Sequence, residues 1–532
     1  MKKIVYTLSV LALATVAFSS CIKETFPQSS TATAEQAQGS ASSLEAAVNG
    51  IPAQMAQGYL VYGSQTHEAD LAYPSFMMQF TELMGDIFPL GSNTAYDWFF
   101  SWNTCTSMSS TTYASYIPWR TLYMFVKSAN DVIKAVDPES TNPDELAYLG
   151  MGYAYRAFDY YHLMNMYEPV LNKYTDCTAV EGLTVPIVTE QTTEEEAKNN
   201  PRATHAKMVE FILSDLDKAE QYLKDYTVSD LHFPSIAVVY GLKAKVYMSD
   251  KQYANAEKYA RMAIDASPSA TPLTQAEWED PTTGFNTATS AWMWYISYSA
   301  ENMGNLCNWI GWISAEADWG YSSLTIPGIN RWIYDRLPDT DFRKHSWVDP
   351  NKYEYYNYKT CRTQQWVESL PAYTSLKFRC VGGDYKTYTV GGVCDVPLMR
   401  IEEMYYIEAE AKGLQGNVSA GCEALQAFVS QYRQPDYTCS FSDEASFEDE
   451  ILFQKRVEFW GEGIAFFDAK RMKAGTKQAY GGTNAPGTTA RLNAVGIKPN
   501  WNYVIPNSEV SNNTALKGCE NPDPTETIKP ED

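Results

Sequence analysis

Apolar residues recur at steps of three and four through long stretches of this chain, and few architectures accept that pattern. Val209, Ile212, Leu216, Ala219 and Leu223 keep the step without interruption, which places them on one face of a 3.6-residue helix. Trp119, Tyr123, Val126 and Ile133 form a second stripe, and Leu149, Tyr153, Ala157, Tyr160 and Met164 a third. Phe453, Val457, Trp460, Ile464 and Phe467 predict one helix from about 446 to 473. The stretch IEEMYYIEAEAKGLQGN predicts another, ended by Gly413 or Gly416. Such helices are amphipathic and need partner faces, so the fold class is mainly α.

The stretch YGLKAKVYMSDKQYANAEKYARMAIDASP resembles a tetratricopeptide hairpin through Tyr240, Ala244, Tyr247, Ala256, Ala263 and Pro268. One such hairpin cannot bury its own faces, so partner hairpins are expected elsewhere. Between about 270 and 400 the periodicity breaks down, and only Trp292, Trp294 and Ile296 alternate as in a strand. A stretch that long with so little regularity carries function or small sheets of its own. The expected layout is a helical scaffold over about 112–270 and 398–475, and a loop-rich ligand face over about 62–111 and 271–397. A Gly-, Asn- and Pro-rich segment, about 476–532, closes the chain as a wrap.

The first residues, MKKIVYTLSVLALATVAFSSC, join two lysines, an apolar run and small residues before Cys21. That is an export signal over 1–20, and a cysteine at its exit resembles a bacterial lipoprotein leader, with Cys21 as the lipidated residue. A plain secretory signal or a short anchor is the alternative. Residues 21–42 read as a polar tether, which leaves 43–532 as one domain anchored by lipid. Nine further cysteines show no CxxC and no partner His at metal spacing. Export permits disulfides, and an odd number leaves at least one thiol unpaired. Cys361, Cys380 and Cys394 lie close together in sequence and could bridge.

The aromatic content is large, with 14 Trp, 38 Tyr and 21 Phe in 532 residues. Helical stripes absorb part of it, and Trp119, Trp292, Trp294 and Trp460 are read as core. Two clusters fall outside the stripes, in segments read as non-helical. AYDWFFSWN holds Tyr96, Trp98 and Trp102, with Asp97 and Asn103 beside them; NWIGWISAEADWGY holds Trp309, Trp312, Trp319 and Tyr321, with Glu316 and Asp318. Sugar rings stack their C–H faces on aromatic planes while nearby polar groups take the hydroxyls, so these eleven residues are the candidate ligand contacts. The competing reading has the Trp residues anchoring long loops to the scaffold. A net charge of −23 excludes a nucleic-acid partner, since phosphate backbones would be repelled. No Gly-x-Ser-x-Gly, HExxH or other metal spacing is present, so no catalytic residue, metal ligand or cofactor is assigned. Glycoside hydrolysis needs only two carboxylates, which keeps a secreted hydrolase as a competing class.

Several motifs together resemble one family, the SusD/RagB-like outer-membrane lipoproteins of Bacteroidetes nutrient uptake. KRVEFWGEGIAFFDAKRM is similar to the family signature through Arg456, Glu458, Glu462, Gly463, Asp468 and Arg471, and departs from it at Phe459, Ala465 and Ala469. MRIEEMYYIEAEA matches through Arg400, Glu403, Ala409 and Glu410, and WRTLYMFVKSAND through Trp119, Tyr123, Ala129 and Asn130. Asp341 with Arg343, and the closing VIPNSEVSNNTALKGCENP, complete the series. The resemblance implies a surface-exposed, lipid-anchored protein of the outer membrane that lids a SusC-like TonB-dependent transporter. By the same resemblance it is expected to bind oligosaccharides, or peptides as in some branches, without chemistry. The charged signature residues are read as structural: Glu458, Glu462, Asp468 and Arg471 have the spacing to pair with one another, with Arg456 or with the Arg400 helix.

Overall fold

The structure is a computed structural model that describes residues 41–58, 70–91, 98–102, 105, 108–304, 308–351, 358–487 and 492–524. Cys21, the leader and most of the tether therefore lie outside the described residues. The first elements are α1 (Ala41–Met55), α2 (Tyr73–Met84), the strand β1 (Ile87–Leu90) and the short α3 (Trp98–Trp102). α1 begins inside the stretch read as tether. α2 occupies a stretch expected to be loop, and all of its residues are buried. A helix covered on every side shows no polar face, which removes the periodic signal by which it would be found.

The scaffold follows as α4 (Tyr113–Ala135), α5 (Pro143–Tyr167), α6 (His205–Leu223), α7 (Ile236–Ser249) and α8 (Tyr253–Asp265). α5 has strong start signals: Asn142 caps it by accepting from the Asp144 amide at 3.0 Å, Pro143 opens its first turn, and Asp144 and Glu145 face the positive helix end. The second half holds β2 (Trp292–Ser297), α9 (Trp309–Ile313), β3 (Ile326–Ile329), α10 (Gln364–Ser369) and β4 (Asp395–Arg400). It closes with α11 (Ile401–Gly413), α12 (Val418–Tyr432), α13 (Glu444–Glu458), α14 (Ala465–Arg471) and α15 (Asn507–Asn512). Helices α4 to α8 pack each on the next, and α8 joins α11, which packs on α12. Ala244, Ala256, Ala260 and Ala263 are fully buried where α7 crosses α8, so the two backbones approach closely. The three stripes face inward: Ile212, Leu216 and Ala219, for example, are wholly covered.

The expected strand at Trp292 is β2, antiparallel to β4 with register shifts around Trp294. β1 pairs antiparallel with β3. These are the two sheets among the described residues, and β4 runs directly into α11. The run from Phe453 to Phe467 is not one helix: α13 stops at Glu458 and α14 starts at Ala465. Between them Gly461 and Gly463 hold φ of 80° and 73°, a left-handed backbone that favours glycine. A Cβ on Gly463 would lie 2.8 Å from Met77 Cα, so the turn also needs the space. The apolar spacing continues across the break, which hides it from a periodicity reading.

The signature charges form a buried cluster at this turn. Glu458 accepts from Arg433 at 2.7 Å and Arg343 at 3.1 Å, and Arg400 lies at 3.4 Å. Arg400 also meets Glu462 at 2.8 Å and Glu402 at 2.9 Å, Arg433 meets Glu402 at 3.1 Å, and Arg343 meets Asp341 at 2.7 Å. Lys377 donates to Glu462 at 2.8 Å and to the carbonyls of Glu458 and Trp460 at 2.9 and 2.8 Å, closing the C-terminal end of α13. Burial pulls the Lys377 ammonium down to about 8, against the pull of Glu462. The Asp468–Arg471 pair expected from sequence is present at 2.9 Å. Arg456 does something else: it crosses to Asp86, next to β1, with a contact at 3.0 Å.

Candidate functional site

The two aromatic clusters meet in space. Phe99 of α3 stands edge-on to Trp312 of α9 with centroids 4.9 Å apart, and Trp312 stacks on Tyr321 at 4.4 Å. Both segments are short helices, not the irregular chain expected. Asn308 explains the second: its side chain accepts from the Gly311 amide at 2.6 Å, an N-cap that starts a turn of helix. Trp102, Trp309, Trp312, Trp319 and Tyr321 are buried, and Trp309 is edge-on to Phe378. In this conformation their rings cover one another and the scaffold. Trp98 is half-buried beside Tyr113. Tyr96, Asp97 and Asn103 lie outside the described residues.

The two acids separate. Glu316 is buried, paired with Arg379 at 2.9 Å and accepting from the Thr360 hydroxyl at 2.5 Å. Asp318 is exposed and holds Arg362 at 2.5 Å, while its amide donates to the Tyr385 carbonyl at 2.8 Å. Arg362 also donates to the Glu316 carbonyl at 2.7 Å. The guanidinium so fixed lies 4.1 Å from the Tyr385 ring centroid and 4.8 Å from that of Trp366 on α10, a cation–π arrangement on two rings. Trp366, Tyr385 and the neighbouring Tyr388 are half-buried. This patch sets half-buried aromatic rings beside charged donors and acceptors. Of the residues in this patch the sequence reading named Asp318 and did not name Arg362, Trp366 or Tyr385. Trp366 was visible as one more Trp in the irregular stretch, but it lacks the aromatic neighbours that marked the chosen clusters.

A concave site lies on α4. A cleft of about 600 Å³ is walled by Tyr116, Trp119, Arg120 and Tyr123 on one side and by Asn200, Glu509 and Asn512 on the other. Burial pushes the Glu509 carboxyl up, opposed by a hydrogen bond from Trp119. Trp119, read as core, is thus buried at the wall of a cleft.

Two family models match the chain. A SusD-like model described as starch-binding associating with outer membrane covers residues 64–248, and the SusD family model covers 282–523. The chain belongs to the SusD family. Its similarity to a SusD-like protein of Formosa agariphila is 23% identity over 404 residues, 69% of this chain and 74% of the other. Among solved structures, a SusD-like carbohydrate binding protein from Bacteroides vulgatus aligns with a TM-score of 0.68 at 19% identity, covering 91% of this chain and 97% of that one. A laminarin binding SusD-like protein aligns with a TM-score of 0.63 at 17% identity, covering 90% and 99%. The tetratricopeptide-like helical architecture is therefore the SusD-like fold.

In this SusD family member two histidines are pushed from the ordinary imidazole range in opposite directions. His205 lies between Glu168 at 2.7 Å and Asp250 at 3.1 Å. The Glu168 bond is the main cause that lifts the imidazole to about 9. His162 is buried, and desolvation lowers it to about 3. A raised histidine stabilises the fold fully below its unfolded pKa, and the contribution disappears as pH rises through the folded value. An NMR titration should therefore place the His205 midpoint near 9, with His162 neutral down to strong acid. A His205 midpoint near the ordinary 6.5 would contradict the two-carboxylate geometry. Among the described residues no group of His, Cys, Asp and Glu is arranged to hold a metal ion, and no helix is long and apolar enough to cross a membrane.

Proposed function

We propose that this protein captures oligosaccharides at the cell surface and passes them unaltered to a SusC-like TonB-dependent transporter, held to the outer membrane by lipid on Cys21. The observation that carries the binding reading is the patch of Trp366 and Tyr385 with Arg362 locked by Asp318: aromatic planes for sugar C–H faces, and preset polar groups for hydroxyls. Family membership and the solved carbohydrate-binding and laminarin-binding relatives support it. The leader and Cys21 support the lipid anchor. A peptide lid would draw on free acids for cationic side chains. Here Glu316 and Asp318 are each taken by an arginine, which favours the neutral sugar.

The test is calorimetric titration of the protein with soluble β-glucan and starch oligosaccharides, with the recovered sugar sized by chromatography. Binding with unchanged chain length is expected. Shortened sugar would favour the hydrolase reading, and binding only to basic peptides would favour the peptide lid.

A further inference from the structure

The eight cysteines among the described residues are all present as thiols, and three of them have a single partner each. Cys361 donates to the Pro281 carbonyl at 3.5 Å, Cys177 to the Val170 carbonyl at 3.7 Å, and Cys380 sits 3.9 Å from the Ser314 hydroxyl. No bridge joins Cys361, Cys380 and Cys394, the set suggested by sequence proximity. Cys422 and Cys439 differ. Both are buried in one apolar cluster with Tyr406, Leu425, Phe428, Phe447 and Ile451. Cys422 lies on α12 one turn before Gln426, and the Gln426 side chain accepts from the Cys439 amide at 3.0 Å. That bond brings the chain ahead of α13 alongside the Cys422 turn, and after burial the Cys422 side chain is the largest influence on the Cys439 thiol.

We propose that Cys422 and Cys439 are a disulfide site, closed in the mature protein; this rests on the reading that the chain is exported to an oxidising compartment. The oxidant is a thiol oxidase carrying its own disulfide. One cysteine thiolate attacks that disulfide and forms a mixed disulfide, and the second thiolate displaces the enzyme. One S–S bond forms in the protein, one breaks in the oxidase, and two electrons and two protons pass to the oxidase dithiol. Burial pushes the Cys439 thiol up, which starves the folded state of thiolate. Closure therefore belongs to folding, before the cluster seals, when the short separation in sequence makes encounter frequent. The bond would fix α12 to the segment that leads into α13, and so to the helix that carries Glu458.

The full-length protein, isolated from its membrane fraction without reductant, is denatured with N-ethylmaleimide and digested for mass spectrometry. The expected result is one crosslinked peptide pair joining Cys422 to Cys439, with maleimide on Cys105, Cys177 and Cys394. A Cys422→Ser variant should free Cys439 for labelling and leave the other cysteines unchanged. Reductant should lower the melting temperature of the native protein by a few degrees, and leave that of the variant where it was. A parallel sample is refolded from denaturant with oxidised glutathione. A link in the refolded sample but not in the membrane sample overturns the assignment to the mature protein and with it the export reading. Maleimide on both cysteines in both samples overturns the pairing itself.

Discussion

Replacing Glu458 with Gln should cost about 3–5 kcal/mol of stability, the scale measured when one partner of a buried ion pair is removed. That is a large share of the roughly 5–15 kcal/mol that separates folded from unfolded in typical domains. The reason is the number of cations that share this carboxylate. Arg343, Arg400 and Arg433 converge on it, all fully buried, with Arg433 as the largest influence holding it well below the usual carboxylate range against the cost of desolvation. Glutamine keeps the size and can still accept hydrogen bonds, so the loss isolates the charge. A carboxylate with a depressed pKa contributes stability above its unfolded value, near 4.3, and loses it as pH falls through the folded value. Urea titrations should show the native protein losing stability steeply below pH 4, and the variant losing less over the same range. A loss under about 1 kcal/mol would mean that the cluster relaxes or admits water.

Trp366→Ala should weaken oligosaccharide binding by about 10- to 30-fold, the value of one central aromatic contact, and Arg362→Ala should do nearly the same by freeing both rings and Asp318. Trp366→Ala should not shift the melting temperature much, because that ring is partly solvated, whereas Arg362→Ala should lower it somewhat as the bonds to Asp318 and the Glu316 carbonyl are lost. Trp309→Ala is the contrast. That ring is fully covered, so its truncation should cost about 3–5 kcal/mol in stability. Calorimetry and thermal melts on the three variants separate contact from support. If Trp366→Ala binds as tightly as the native protein, the ligand face is elsewhere, and the α4 cleft at Tyr116 and Arg120 is the next place to substitute.

The contrast also shows where sequence information ends. Ile212, Leu216 and Ala219 were legible because burial in a helix repeats with the backbone period, and the tetratricopeptide-like hairpin was legible from its small crossing residues. The α13–α14 break was not, since Val457, Trp460 and Ile464 keep helical spacing while the glycines turn the chain. The Trp clusters were found as clusters, yet their solvent exposure was misjudged. Whether Trp312 faces a ligand or Phe99 depends on a contact between residues far apart in the chain, and composition carries no trace of it. Arg362 and Tyr385 come together with Trp366 only after Asp318 has placed the guanidinium, so no local pattern marks them.

The cluster around Glu458 gathers its charges from separate stretches: Asp341 and Arg343, Lys377, Arg400 with Glu402, Arg433, and the turn bearing Glu462. Its members balance, four basic against four acidic, only when every stretch has docked. A half-assembled chain carries an uncompensated ion in an apolar interior, at a cost of several kcal/mol. Intermediates of that kind are penalised on the way in and on the way out, so the loops that bear the proposed ligand patch share the cooperativity of the helices behind them.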